Sequence, residues 1–313
     1  MGLIFAHAAN PAWGQAYPVK PVRLIATGSP GGGGDTLARL LANTLSQRFG
    51  RQVIVDNRSG GASNIGPEIA AKAPPDGYTL FYATQSHAVN VTLYRNLAYD
   101  LMRDFAPVTQ LVFDPAVLSV HPSLPVNSVS ALVKFAKSNP GQLNYASGGL
   151  ASFTFIATEI FKGRTGINLV HVPYKGGGPA LTSILSGEVS VYFAPVAVGL
   201  PHLQKNKLRP LGVSTLQRLT LLPDLPTVAE SGLPGYESSN WFGLLVPTGT
   251  PKEIISQIHA GVTGAMNQPD LNKKLADLAY VIVGSQPDEM EKYLKAEVDR
   301  LGKIVRSLKL TAD

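Results

Sequence analysis

The hydrophobic positions alternate between two periods along most of the chain. Residues 23–26 are a short apolar run, followed by a glycine loop. Leu37, Leu40, Leu41, Leu45 and Phe49 then recur at helical spacing, and Gly50 stands where a helix would close. Asp35 occupies the expected N-cap position. Residues 53–55 predict a strand, 65–73 a short helix, 74–77 a turn and 78–83 a second strand. The stretch 108–120 reads as extended. Ser128 predicts the cap of a helix through Lys137, with Val129, Leu132, Val133 and Ala136 turned inward.

Beyond this point the unit repeats. Strands are expected over 143–146, 168–172 and 189–193, with helices over 153–161 and 179–185. Strand–helix alternation of this kind implies a largely parallel sheet flanked by helices. A strand is expected over 241–246 and a shorter one over 280–283. Helices begin at Pro251, Pro269 and Pro287, where proline suits the first helical position. In the last helix Met290, Leu294, Leu301, Val305 and Leu308 form one stripe, which reads as a packing face. Two proline-interrupted stretches, 118–125 and 219–236, are where the chain would cross between lobes. The expected division is residues 17–121 with 237–313 as one discontinuous lobe, and 122–236 as an inserted second lobe.

Ligands of open α/β sheets sit beyond the carboxyl ends of the strands, so the loops there carry the functional reading. Gly31 to Gly34 lie between a strand and a helix start, where backbone N–H groups are suited to an anion. A phosphate-binding P-loop would need Lys-Ser or Lys-Thr next, and Asp35-Thr36 follows instead. The G-x-G-x-x-G spacing of a dinucleotide site also fails, because position 36 is Thr. A plain strand-to-helix turn remains the competing explanation. Three further loops combine glycine with hydroxyl or amide side chains: 84–90 with Thr84, Ser86 and Asn90; 147–152 with Ser147, Gly148, Ala151 and Ser152; and 173–179 with Tyr174 and Lys175. Together they suggest one shared cleft of neutral hydrogen-bonding groups with a single cation.

Composition narrows the classes. With 313 residues the chain has room for two domains, and 44% apolar against 15% charged residues suits extensive burial. The net charge of +6 is scattered rather than striped, which argues against nucleic acid but would draw carboxylates at long range. The absence of cysteine excludes disulfides, thiol catalysis and cysteine-ligated metals. Residues 2–9 are a short apolar stretch, and Trp13-Gly14-Gln15-Ala16 ends in a small-x-small pattern. This predicts the remnant of an export signal over residues 1–16, although a basic leader is missing and His7 interrupts the run. Neither G-x-S-x-G nor H-E-x-x-H occurs, and the histidines are dispersed, so no catalytic residue is assigned. A triad assembled from distant positions stays open. His87 reads as structural, and Asp35 as either a cap or a partner for an ammonium group or water.

Several segments resemble the substrate-binding receptors of tripartite tricarboxylate transporters, the Bug receptor family. They are Pro30-Gly31-Gly32 with Asp35, Ile54-Val55-Asp56-Asn57-Arg58, Pro75-Asp76-Gly77-Tyr78, Asp104-Phe105-Ala106-Pro107, Leu143-Asn144-Tyr145-Ala146-Ser147, His171-Val172-Pro173-Tyr174-Lys175-Gly176, Leu222-Pro223-Asp224-Leu225-Pro226-Thr227 and Trp241-Phe242-Gly243-Leu244. They follow in family order from residue 17 to the end. The resemblance implies an α/β, two-lobed periplasmic binding protein of the Venus-flytrap type (type II), with the ligand cleft between its lobes. It implies a monomer that uses no cofactor or metal, binds a small carboxylate and hands it to a membrane permease. The family's ligand loops fall on Pro30, Gly31, Gly32 and Asp35; on Thr84, Ser86 and Asn90; on Ser147, Gly148, Ala151 and Ser152; on Tyr174 and Lys175; and on the segment after Phe193. There the family often has Asp, whereas this chain has Ala194 and then Pro195. That difference implies a ligand without an α-amino group. A secreted α/β hydrolase and a ligand-presenting partner of a membrane sensor kinase are the competing functions.

Overall fold

The computed structural model describes residues 17–28, 30 and 33–312. The expected export signal, Gly31 and Gly32 lie outside the described residues.

The first unit runs β1 (Val22–Ala26), α1 (Gly33–Phe49), β2 (Val53–Asn57), α2 (Ile65–Ala71), β3 (Thr79–Thr84) and α3 (Gln85–Leu93). β1 is buried on both faces, with Val22, Leu24, Ile25 and Ala26 at most 1% exposed, as a central parallel strand requires. It pairs in parallel with β2 and β3. Leu37, Leu41 and Leu45 of α1 are buried, Leu40 and Phe49 half-buried, and Gly50 closes the helix at φ 61°.

β4 (Phe105–Val120) then carries the chain onward. The second unit follows as α4 (Val129–Ser138), β5 (Asn144–Ser147), α5 (Phe153–Thr165), β6 (Val170–Pro173), α6 (Gly177–Leu185), β7 (Val191–Pro195), α7 (Val196–Gln204) and β8 (Arg209–Val213). Ser128 caps α4 by accepting from the Ala131 N–H, and Ser152 caps α5 by accepting from Phe155. The return passes through β9 (Ser239–Pro247), α8 (Lys252–Met266), α9 (Pro269–Asp277), β10 (Val281–Ile282) and α10 (Pro287–Ser307). Pro269 and Pro287 open their helices as N1 residues, whereas Pro251 sits one position earlier, at the N-cap.

Among the described residues, ten strands join one sheet in the path β2-β1-β3-β9-β4-β7-β5-β6, with β8 and β10 also paired to β4. The sheet is parallel only within each unit. β9 is antiparallel to both β3 and β4, and β4 is antiparallel to β7 and β8. The expectation of a largely parallel sheet is corrected here, because two long strands pass between the units in opposite directions. β4 is the seam: its residues 105–115 pair with β9, and residues 116–120 pair with β7.

Three buried apolar clusters hold the layers. One lies under α1, α8 and α9, and one under α6 and α7. The largest joins α3 and α10 to α4 and α5 across the seam, and holds the α10 stripe of Met290, Leu294, Leu301 and Val305. Leu308, expected in that stripe, is half-buried. No helix among the described residues is long and apolar enough to cross a membrane.

Candidate functional site

Five helices begin around one cavity of about 500 Å³ at the seam, α7 among them through its N-cap Pro195 and Val198. From α1 come Gly33, Gly34 and Asp35, from the start of α3 Thr84 and Ser86, from α5 Ser152, Phe153 and Thr154, and from α6 Gly176 to Pro179. Helix starts expose N–H groups without intrahelical partners and carry partial positive charge, so their convergence favours an anion. The local sequence permits this approach. A Cβ on Gly34 would lie 3.1 Å from Phe242, so a side chain there would press on the cavity wall. Gly176 turns the chain into α6 at φ 109°, which other residues rarely adopt. Lys175 is exposed at the rim and forms no salt bridge with the described residues.

Asp35 is not the cap of α1. The helix starts two residues earlier and Asp35 falls in its first turn, only 3% exposed. Its Oδ2 accepts from Arg39 Nε at 2.9 Å and its Oδ1 from Asn57 Nδ2 at 2.9 Å. The Arg39 partner offsets its charge, so Asp35 and an anion can share the same helix start.

Of the expected residues, Pro30, Asp35, Thr84, Ser86, Gly148, Ser152 and Lys175 line the cavity. The others do not. Asn90 is fully buried and donates to the Ala62 carbonyl at 2.9 Å and to Asn64 Oδ1 at 2.7 Å, fastening a neighbouring loop. Ala151 and the ring of Tyr174 pack into apolar clusters. Ala194 is 0% exposed and faces Gly199 of α7, and Pro195 reaches the cavity instead. The implied absence of an acidic group from the cleft therefore does not follow from Ala194. Ser147 is fully buried, with its Oγ 2.6 Å from His171 Nε2. This serine–histidine pair resembles a nucleophile and its base, but Ser147 is outside the cavity lining. It also accepts from the Gly149 N–H at 3.0 Å, which makes it a loop fastener.

The floor of the cavity holds residues that loop reasoning missed. Asp114 of β4 is 3% exposed and its Oδ1 has no hydrogen-bond partner. Burial pushes its carboxyl up to about 7, against a hydrogen bond from Asn240, its register partner on β9. Tyr82 of β3 is 2% exposed, stacks on Phe242 at 5.1 Å, and its hydroxyl also lacks a partner. Tyr192 and Thr154 complete this side. One sequence signal was available: Asp114 is the sole charged residue between Phe105 and Val120.

His87 is equally buried but sits behind the wall. Its Nδ1 accepts from the Thr84 N–H at 2.9 Å, which leaves the proton on Nε2, 3.3 Å from Thr27 Oγ1. Burial lowers its pKa to about 4, so it is neutral at physiological pH and structural, as the sequence suggested.

Residues 37–310 match the family model described as tripartite tricarboxylate transporter family receptor. The chain belongs to this receptor family. The receptor is 33% identical over 310 residues to BugT of Bordetella pertussis, covering 98% of this chain and 95% of the relative. Its fold matches that of an R. palustris protein solved with adipate, at TM-score 0.89 and 37% identity, over 94% of this chain and 99% of the other. Periplasmic binding protein BugD superposes at TM-score 0.88 with 26% identity, over 95% of this chain and 100% of that one. MatC of Rhodopseudomonas palustris, with bound malate, gives 0.85 and 28% over 92% and 100%. The receptor thus has the two-lobed α/β fold of periplasmic solute-binding proteins, and its family and structural neighbours are binding proteins rather than enzymes.

Proposed function

We propose that this receptor is exported to the periplasm, captures a small carboxylate between lobes 17–121 with 237–313 and 122–236, and delivers it unchanged to the permease of a tripartite tricarboxylate transporter. The observation that carries the reading is the convergence of five helix starts on one cavity at the seam. Backbone N–H groups at the starts of α1 and α6, hydroxyls from Ser86, Ser152 and Thr154, and Lys175 at the rim would hold the carboxylate. Adipate and malate in structurally similar proteins support this ligand class. The buried position of Ser147 argues against the hydrolase alternative.

A thermal-shift screen of mono-, di- and tricarboxylates, aromatic acids and amino acids tests the proposal, because a ligand that binds only the folded state raises the melting temperature. A carboxylate should give the largest shift, and mass spectrometry should recover it intact. Turnover of the ligand, or shifts confined to uncharged compounds, would overturn the reading.

A further inference from the structure

The cavity floor presents two polar atoms without partners, Asp114 Oδ1 and the Tyr82 hydroxyl. Both residues are at least 97% buried, and both line the cavity. An unsatisfied buried polar group costs about 1–3 kcal/mol. Two such groups, on residues that line one hollow from β3 and β4, describe a place prepared for something polar.

The surrounding groups decide its chemistry. β3 supplies Tyr82, β7 supplies Tyr192, and Tyr280 precedes β10; burial keeps all three phenols protonated. β9 supplies Asn240. Asp35 on α1 is already matched by Arg39, and Lys175 stands at the rim rather than the floor. With its carboxyl held near 7, Asp114 carries a proton for much of the time at neutral pH. The floor therefore offers O–H donors. An ammonium group would leave the Tyr82 proton without an acceptor, whereas a carboxylate accepts from both groups.

Resting on the carboxylate reading above, we infer that Asp114 and Tyr82 form a second anion subsite, which takes the far carboxylate of a dicarboxylic acid through a proton carried by Asp114. The near carboxylate lies at the helix starts. Above the free carboxyl's midpoint, Asp114 is ionised before binding. Capture of a dianion then takes one proton from solvent, and that proton ends between the two carboxyl groups. Binding is tightest below pH 7 and weakens as the pH rises.

Calorimetry on the wild-type chain tests this with adipate as probe and hexanoate as its one-carboxylate control. At pH 8, titrations in two buffers of different ionisation enthalpy should report close to one proton taken up per adipate. The adipate Kd should be about tenfold weaker at pH 8 than at pH 6, following the protonated fraction of Asp114. Hexanoate should bind more weakly than adipate and without proton uptake. Asp114→Asn, which keeps an amide donor, should abolish both the uptake and the pH dependence. Tyr82→Phe should weaken adipate more than hexanoate. Adipate binding with no proton uptake and a pH-independent Kd overturns this inference and leaves the receptor reading standing. Binding of no carboxylate anywhere in the thermal-shift screen overturns both.

Discussion

Two hollows of almost equal size flank the seam, about 500 Å³ on one face and about 490 Å³ on the other. Adjacent residues of β4 point into them, Asp114 into the first and Phe113 into the second. The second is walled by Phe113, Leu216, Leu219, Leu221 and Val281, and its Arg218 is paired with Glu230 at 3.0 Å. The first gathers five helix starts, a cation and two buried oxygen atoms without partners. Volume does not separate the two hollows. What separates them is unsatisfied hydrogen-bonding capacity, which only a polar ligand can complete.

The largest expected effect is on stability rather than binding. Asp114 has its folded pKa raised from 3.8 to about 7. Its contribution is fully present below pH 3.8 and is lost as pH rises through 7. Asp114→Asn should therefore stabilise the empty receptor at pH 8 relative to wild type by up to about 4 kcal/mol, with little difference near pH 4. Denaturant melts of both proteins at the two pH values check this. Equal stability at pH 8 would mean that the floor carboxyl is already satisfied.

Gly178→Leu comes next. Gly178 lines the first hollow, and a Cβ there meets nothing within 4 Å. The leucine should occupy ligand space and weaken carboxylate binding by about 100-fold or more, roughly 3 kcal/mol, while the melting temperature stays close to wild type. Leu216→Ser in the opposite hollow should leave affinity unchanged. The reverse pattern would exchange the roles of the two faces.

Much of the fold was legible because its signals are local. The α10 stripe, the Ser128 cap and the apolar run of β1 each depend on neighbours in sequence. α3 was hidden because its inward residues include Gln85, His87 and Asn90, which give no apolar stripe. Pro201 inside α7 and Pro210 in β8 obscured those elements, and β8 meets β4 beside a register shift. The glycine-hydroxyl loops pointed to the side of the sheet where the candidate cavity lies, because helix starts follow from chain order. Tyr82 and Asp114 were not found, since tertiary packing makes them distinctive. The same packing buries Ala194 and Ser147 and keeps them out of the candidate cavity's lining.

Two smaller effects sharpen the contrast between lining and packing. Lys175→Gln should weaken binding by about 1 kcal/mol or less, and the loss should shrink at high salt because the group is exposed. Titrations at two ionic strengths would show this. Ser147→Ala should leave affinity unchanged but cost about 0.5–1.5 kcal/mol of stability through the lost His171 and Gly149 hydrogen bonds. A loss of affinity with unchanged stability would return Ser147 to the site.

The most direct test is a crystal structure of the receptor with the dicarboxylate that gives the largest thermal shift. The account predicts density in the seam cavity, with one carboxylate at the first turn of α6 and the other within hydrogen-bond distance of Asp114 and Tyr82. Density in the hollow beside Phe113 and Val281, with the seam cavity free of ligand, would contradict it.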